Sequence, residues 1–525
     1  MPRRIHLAVT AAATAALLGA MTSPPAYADP NNNTVRKLTK AVTADGVVEH
    51  LEALQDIADA NGGDRAAGRP GYKASVDYVV EQLEAAGYDP TVQEFPFTYA
   101  EEFSELERIS PNPRVFEQGS EFLRNTFDSG TPEGTATGTL FVIPAADTTD
   151  GCEAGDYAGM AAGQVALIQR GGCGFAIKAL AAQAAGASGA IIYNNTAGMI
   201  NMIGDATGLR IPVVFASQVV GEDLATTPGA TVRVEVDFTA EQRTAYNVLA
   251  ETASGDDDNT VMAGAHLDSV QGGAGIQDNG SGSAALLETA IQMAKVKPTN
   301  TVRFAWWGAE EEGLLGSEHY VEQLSEEEAE DIALYLNFDM IASPNYMFGI
   351  YDGDNSGGTA APGFIPDGSA QIEDVFEKFY ADRGEPSQDS EFSGRSDYGP
   401  FIAVGIPAGG LFTGAEVRKT AGEAALYGGV AGASYDPCYH ESCDNLTGAG
   451  QDVALYEQLR EDYTLIGNVN VHALDVNSDA IATAIMTFAY DTSTVNGAPG
   501  HPGRGLVKSG AADRTLAAIR DQRAR

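Results

Sequence analysis

Basic residues are scarce in this chain. Lys and Arg together number 31 among 525 residues, against 73 Asp and Glu, which sets the formal charge at −42. A surface of that sign repels nucleic acid and anionic membranes, which excludes both as partners, and it attracts small cationic groups such as peptide amino termini. Long apolar runs are scarce too. The run from Ile5 to Met21 follows Arg3 and Arg4 and precedes Pro24, Pro25 and the small-residue stretch Ala26-Tyr27-Ala28. It is short for a membrane span and reads as an export signal over 1–28. The paired arginines leave both the general and the twin-arginine export routes open. Cysteine is rare as well, confined to Cys152, Cys173, Cys438 and Cys443. In an exported chain an even count reads as disulfides, with three pairings open. Cys438 and Cys443 enclose Tyr439 and His440, so a bond between them would chiefly fix local geometry.

Removing residues 1–28 leaves 497, room for roughly two or three domains with real cores. The polar, Asn-rich stretch 29–41 is expected to be a disordered leader or pro-segment. Helical spacing follows at Val48, Leu51, Leu54 and Ile57, and again at Val76, Val79, Val80 and Leu83, where Gly87 closes the run. PTVQEFPF then reads as a strand. Residues 115–240 carry strand-like runs (GTLFVIPA, QVALIQRG, GAIIYNN, IPVVFAS) around one Ala-rich helix, AIKALAAQAAGA. From 241 to 490 strands and helices alternate, as expected of a mixed, mostly parallel sheet with helices on both faces. That α/β unit is taken to include 42–114, with 115–240 inserted into it. Residues 491–525 turn polar and basic and read as a disordered or detachable tail.

The chemistry-bearing residues fall near strand ends of the α/β portion, where open parallel sheets place their ligand sites. His266 closes TVMAGAH. Asp278 stands twelve residues later, before a helix; Glu310 and Glu311 are expected to end the WWGAEE strand; Asp339 ends LNFDM; and His440 lies in PCYHESCD. Two histidines and three carboxylates make a mixed nitrogen and oxygen set suited to zinc. With about four ligands per ion, one His and one carboxylate on each, a shared carboxylate and a shared water satisfy two ions. Glu310 is then left over as a general base. His319, on a later helix, is expected to be structural. Asp268, two residues along the strand from His266 and on the same face, is expected to orient that imidazole by accepting its other N–H.

Two resemblances follow from these runs. RGGCGFAIKALAAQAAGASGAIIYNN resembles the signature of the protease-associated (PA) domain, a β-rich lid inserted into several exported peptidases. AHLDSVQGGAGIQDNGSGSAALLETA, RFAWWGAEEEGLLGS, YLNFDMIASPN, FSGRSDYGPF, GGLFTGAE and DPCYHESCD resemble the M28 family of zinc aminopeptidases, most of all its secreted actinobacterial leucyl members. That resemblance implies two Zn²⁺ ions, one on His266 and Asp339, the other on Glu311 and His440, with Asp278 bridging them. It implies Glu310 as base, Tyr439 as hydrogen-bond donor to the oxyanion, Arg395 as a substrate contact and Phe412 in the side-chain pocket. It further implies a cis peptide between Asp278 and Asn279. For Asp475 and Asp479, one helical turn apart, it offers a structural Ca²⁺ site, with plain surface solvation as the alternative. Glu312 departs from the pattern, standing where nearest relatives carry an apolar residue. Each cysteine pair within one proposed domain, Cys152 with Cys173 and Cys438 with Cys443, is the expected linkage. Together these expectations describe an exported monomer acting on peptides with free N-termini. A carboxypeptidase of the same family and a non-catalytic, receptor-like binding protein are the alternatives.

Overall fold

The computed structural model describes residues 32–124, 127, 132–144, 151–196, 202, 204–360 and 363–497. The expected export signal and the tail beyond 497 lie outside them.

The strand Ile332–Phe338 is buried at every position, and Asp256–His266 is buried from Asn259 onward. Strands this uniformly apolar form only where both faces of a sheet are covered. They lie at the centre of an eight-stranded mixed sheet in the order Thr91–Glu102, Phe238–Glu251, Asn300–Trp307, Asp256–His266, Ile332–Phe338, Ala408–Phe412, Gly349–Tyr351, Gln388–Ser390. The four strands from Asn300–Trp307 to Ala408–Phe412 pair in parallel. The period-2 alternation of side chains divides the core in two. Val261, Ala263, Phe304, Trp306, Leu334 and Leu336 face the helices Ala44–Ala60, Pro70–Ala86, Ser281–Met293 and Val471–Tyr490. Met262, Ala305, Trp307 and Tyr335 face the opposite layer, with Tyr320 of Leu315–Gln323 and Phe401 of Tyr398–Ala403. The parallel strands all end at one edge, two of them on His266 and Phe412 themselves and the others just before the Glu310–Glu311 turn and Asp339.

A second eight-stranded sheet spans Glu105–Val236. Its buried parallel strands Val165–Gln169, Gly189–Tyr193 and Val213–Ala216 and its helix Phe175–Ala184 are the elements read from the sequence. The chain leaves the first sheet and returns to it along one antiparallel arm, Thr91–Glu102 against Phe238–Glu251. Glu105–Ser110 pairs with Thr231–Val236 in this second sheet, so the insertion takes up strands ahead of residue 115. Their charged, alternating sequence gave no composition change to mark the passage. Disulfides join Cys152 to Cys173 and Cys438 to Cys443.

Order extends into parts of two stretches read as a leader or pro-segment and as a tail. Within 29–41, Val35–Ala41 forms a helix with Leu38 fully buried, and Asn32 donates to the carbonyl of Gln292 at 3.1 Å. Val35, Leu38 and Val42 form a short apolar stripe that the surrounding Asn and Lys residues disguised. Within 491–525, Val495 is buried, and Asn259 donates to the Thr492 hydroxyl at 2.9 Å, so the chain packs on the sheet as far as 497.

Candidate active site

His266 is the last residue of its strand and is almost wholly buried, held by a hydrogen bond of 3.1 Å between Nδ1 and the main-chain carbonyl of Asp268. Its free nitrogen, Nε2, lies 3.3 Å from Asp278 Oδ1 and 3.3 Å from Asp339 Oδ1. On the other side, His440 Nε2 lies 3.3 Å from Asp278 Oδ2 and 3.1 Å from Glu311 Oε2. Asp278 therefore gives one oxygen to each histidine. The peptide joining Asp278 to Asn279 is cis, as the family resemblance implied.

The glutamate pair is not on a strand. The strand ends at Trp307, and Ala309 takes a left-handed conformation (φ 55°) that opens a turn. Gly308 is required there, since a β-carbon would stand 2.0 Å from the hydroxyl of Tyr72. The turn aims the Glu310 and Glu311 amides at the Asp268 carboxylate, 3.2 Å from Oδ1 and 3.3 Å from Oδ2. The carboxylate of Asp268 is 3.8 Å from His266 Nδ1. Its close partners are thus the two glutamate amides, and its main-chain carbonyl is what holds the imidazole. Burial pushes its carboxyl up to about 7.

The site polarises its own residues. Burial opposes ionisation of His266, but Asp339 and Asp278 outweigh it and hold the imidazole's pKa well above its ordinary range. His440 is raised in the same way, against burial, by Glu311 and Asp278. Burial would raise Asp278, yet bonds to both histidines bring it well below the usual carboxylate range. Asp339 Oδ1 and Glu311 Oε1 are buried without a hydrogen-bond partner, an arrangement that a bound cation satisfies. Two sets of ligand atoms, His266/Asp278/Asp339 and Asp278/Glu311/His440, each lie within 4.8 Å of one another. Two histidines and three carboxylates around two such points fit a pair of zinc ions.

These residues line a cleft of about 730 Å³ that also takes in Glu310, Arg395, Phe412 and Tyr439. The Tyr439 ring stacks on His440, with centroids 3.8 Å apart. Arg395 is half-exposed, 3.6 Å from Glu416. Phe412 ends its strand beside Met347 and Tyr435. Burial, with Glu311 beside it, raises the Glu312 carboxyl above its ordinary range. His319 stacks on Phe95, centroids 5.1 Å apart. The acids considered for calcium do not converge: Asp479 pairs with Arg383 at 2.6 Å, and neither it nor Asp475 belongs to a ligand cluster among the described residues.

Several supporting residues were missed by sequence reasoning. Arg65, wholly buried, donates to the carbonyls of Ala274 and Gly275 at 2.8 and 2.7 Å and also to that of Leu267. It thereby staples the loop running from His266 to Asp278, and burial draws its guanidinium down to about 10. Asn279 ties this loop to the Asp339 segment, donating to Phe338 O at 2.8 Å and accepting from Met340 N at 3.1 Å. Ser396 donates to Asp339 Oδ2 at 2.5 Å. No periodicity marks such residues, because their partners lie far away in the chain.

Comparison with known proteins identifies the family. Peptidase family M28 matches residues 247–454, and the PA domain matches 136–224. An aminopeptidase of Pseudomonas aeruginosa is 45% identical over 473 residues, 87% of this chain and 83% of its own. The chain belongs to peptidase family M28. Another relative, a probable leucine aminopeptidase 2 of Arthroderma benhamiae, is 40% identical over 87% of this chain and 86% of its own. Among solved structures, an aminopeptidase from Aneurinibacillus sp. strain AM-1 shares the fold, with a TM-score of 0.61 at 24% identity, covering 90% of this chain and all of that one.

Proposed function

We propose that this M28 chain is an exported zinc aminopeptidase that removes bulky apolar residues from free peptide N-termini, using two zinc ions in one cleft. The observation that carries the reading is Asp278, whose two oxygens lie 3.3 Å from two different histidines. His266 and Asp339 would hold one ion, Glu311 and His440 the other, and Asp278 both. When bound, the ions supply Lewis-acid polarisation of the scissile carbonyl and lower the pKa of water.

The chain's own groups carry the remaining work. Glu310 takes the proton of the attacking water and passes it to the leaving amine. The Tyr439 hydroxyl donates a hydrogen bond to the oxyanion. Asp339 favours a cationic α-amine. Phe412, with Met347 and Tyr435, receives the apolar side chain, and Arg395 contacts the substrate from the rim.

Charge separates this reading from the carboxypeptidase alternative. Among the described residues lining the cleft, Arg395 is the only Lys or Arg, and Glu312, Asp389, Glu391, Glu416 and Glu423 line the same cleft. An anionic C-terminus would be repelled there. The relatives' names, aminopeptidase and leucine aminopeptidase, favour the same side. A receptor-like role would not need the full ligand set beside a spare glutamate. Export is supported by the two disulfides. No helix among the described residues is long and apolar enough to cross a membrane.

Leucine amide and N-acetyl-leucine amide provide the test. The free amine should be hydrolysed rapidly and the blocked one should not. Comparable rates on the two would end the aminopeptidase assignment.

A further inference from the structure

We infer that Asn468 is a positioning residue for the metal centre, fixing Asp278 and His440 together through one side-chain amide. It stands outside every motif of the site, in the turn between Leu465–Ile466 and Val469–Asn470, and is wholly buried. Its Nδ2 donates to Asp436 Oδ1 at 3.0 Å, with Oδ2 at 3.2 Å, and to Asp444 Oδ1 at 3.0 Å. Asp436 and Asp444 are themselves buried, and they bracket the loop that carries His440. Asp436 accepts from Cys438 N at 2.8 Å, fixing the start of that loop. Asp444 accepts from Gln277 N at 2.8 Å and from Asp278 N at 3.0 Å, fixing the backbone that presents the bridging carboxylate. A single amide thus joins the base of the His440 loop to the Asp278 segment.

The residue type follows from charge. Two buried carboxylates side by side repel each other and need donors. A carboxamide offers two N–H bonds, one toward each acid, without adding a charge. Its orientation is set from behind, because the Tyr456 hydroxyl donates to Asn468 Oδ1; the reverse orientation would turn an oxygen toward both acids. The main-chain amide of Asn468 donates to Asn445 O at 2.9 Å, holding the turn against the end of the loop.

The support is unequal between the two ligand groups. Asn468 reaches two members of the Asp278/Glu311/His440 group, but only Asp278 of the other. His266 and Asp339 are braced elsewhere, by the Asp268 carbonyl and by Ser396. Loss of Asn468 should therefore weaken one zinc much more than the other. This inference rests on the two-ion reading proposed above.

The experiment is a zinc titration of the metal-stripped full-length chain against a chromophoric chelator, with the melting temperature recorded for each variant. Wild type should take up two zincs. In Asn468→Ala one of the two should bind about 10–100-fold more weakly, the usual effect of losing a group that orients a ligand, while the other shifts much less. Tyr456→Phe, which keeps the carboxamide but frees its orientation, should weaken the same zinc by a smaller factor, and it serves if Asn468→Ala does not fold. Cobalt-substituted protein should show the change in the visible absorption of one ion only. Equal weakening of both ions, or of neither, in the variants that fold would overturn the role of Asn468. A wild type that takes up only one zinc would overturn the two-ion reading itself.

Discussion

Glu310 and Glu311 are neighbours to which different tasks are assigned, and exchanging each for glutamine separates those tasks. Glu311 Oε2 lies 3.1 Å from His440 Nε2, within the second ligand group. Glu310 is buried, lines the same cleft and belongs to neither group. Both amides are held by Asp268, so a glutamine of the same shape at either position should leave the turn intact. Glu310→Gln removes the base alone. General-base help is worth about 10²–10⁴-fold, or about 3–5 kcal/mol of barrier, and kcat should fall by that factor. KM should change little, because the contacts of the ground state survive, and bound zinc should stay at the wild-type level. Glu311→Gln should lose zinc and activity together. The assay is hydrolysis of leucine 4-nitroanilide, with zinc measured on the same samples. If Glu310→Gln loses zinc while Glu311→Gln keeps it, the assignment is reversed. If Glu312→Gln alone abolishes turnover, the base lies two residues further on.

Three further outcomes are expected. Phe412→Ala should lower the ratio of kcat/KM for leucine over alanine substrates by about tenfold, a typical worth of an apolar side-chain contact; an unchanged ratio would remove Phe412 from the pocket. Asp268→Asn should reduce activity by about 10–100-fold, because one of two acceptors for the Glu310 and Glu311 amides is lost; full activity would leave Asp268 a packing residue. Away from the site, burial, with Asp354, Asp352 and Asp389 close by, pushes the Glu373 carboxyl up to about 7. A carboxyl raised above its unfolded value favours folding at low pH, and that contribution is lost as pH climbs from the ordinary glutamate range through 7. Glu373→Gln, melted in chelator-containing buffer, should therefore gain on wild type as pH rises from 4 to 8, and a pH-independent difference would contradict this.

Much of the site could be read in the sequence because its residues sit next to strong local signals. His266 closes a strand of small and apolar residues, Asp339 follows another, and Asp278 precedes a helix whose glycines permit close packing; a β-carbon on Gly282 would stand 2.3 Å from Phe338 O. The turn at Glu310 escaped notice because Gly308-Ala309 continues the apolar pattern of the strand while its backbone has already left the sheet. Arg65, Asp444 and Asn468 were missed for a different reason. Each acts through hydrogen bonds to segments far away in sequence, such as Arg65 to Gly275. Only the folded chain brings such groups together. In the first helix, Leu38 was hidden by polar neighbours, and its burial depends on the helix Val471–Tyr490, more than 400 residues later.

The most direct test of the two-zinc assignment is the metal content of the active enzyme. Protein saturated with zinc and then freed of loosely bound ions should carry two zincs per chain, and His440→Ala should carry fewer, with activity lost. Full activity at one zinc per chain, unchanged on further addition, would contradict the shared role of Asp278 and with it the proposed mechanism.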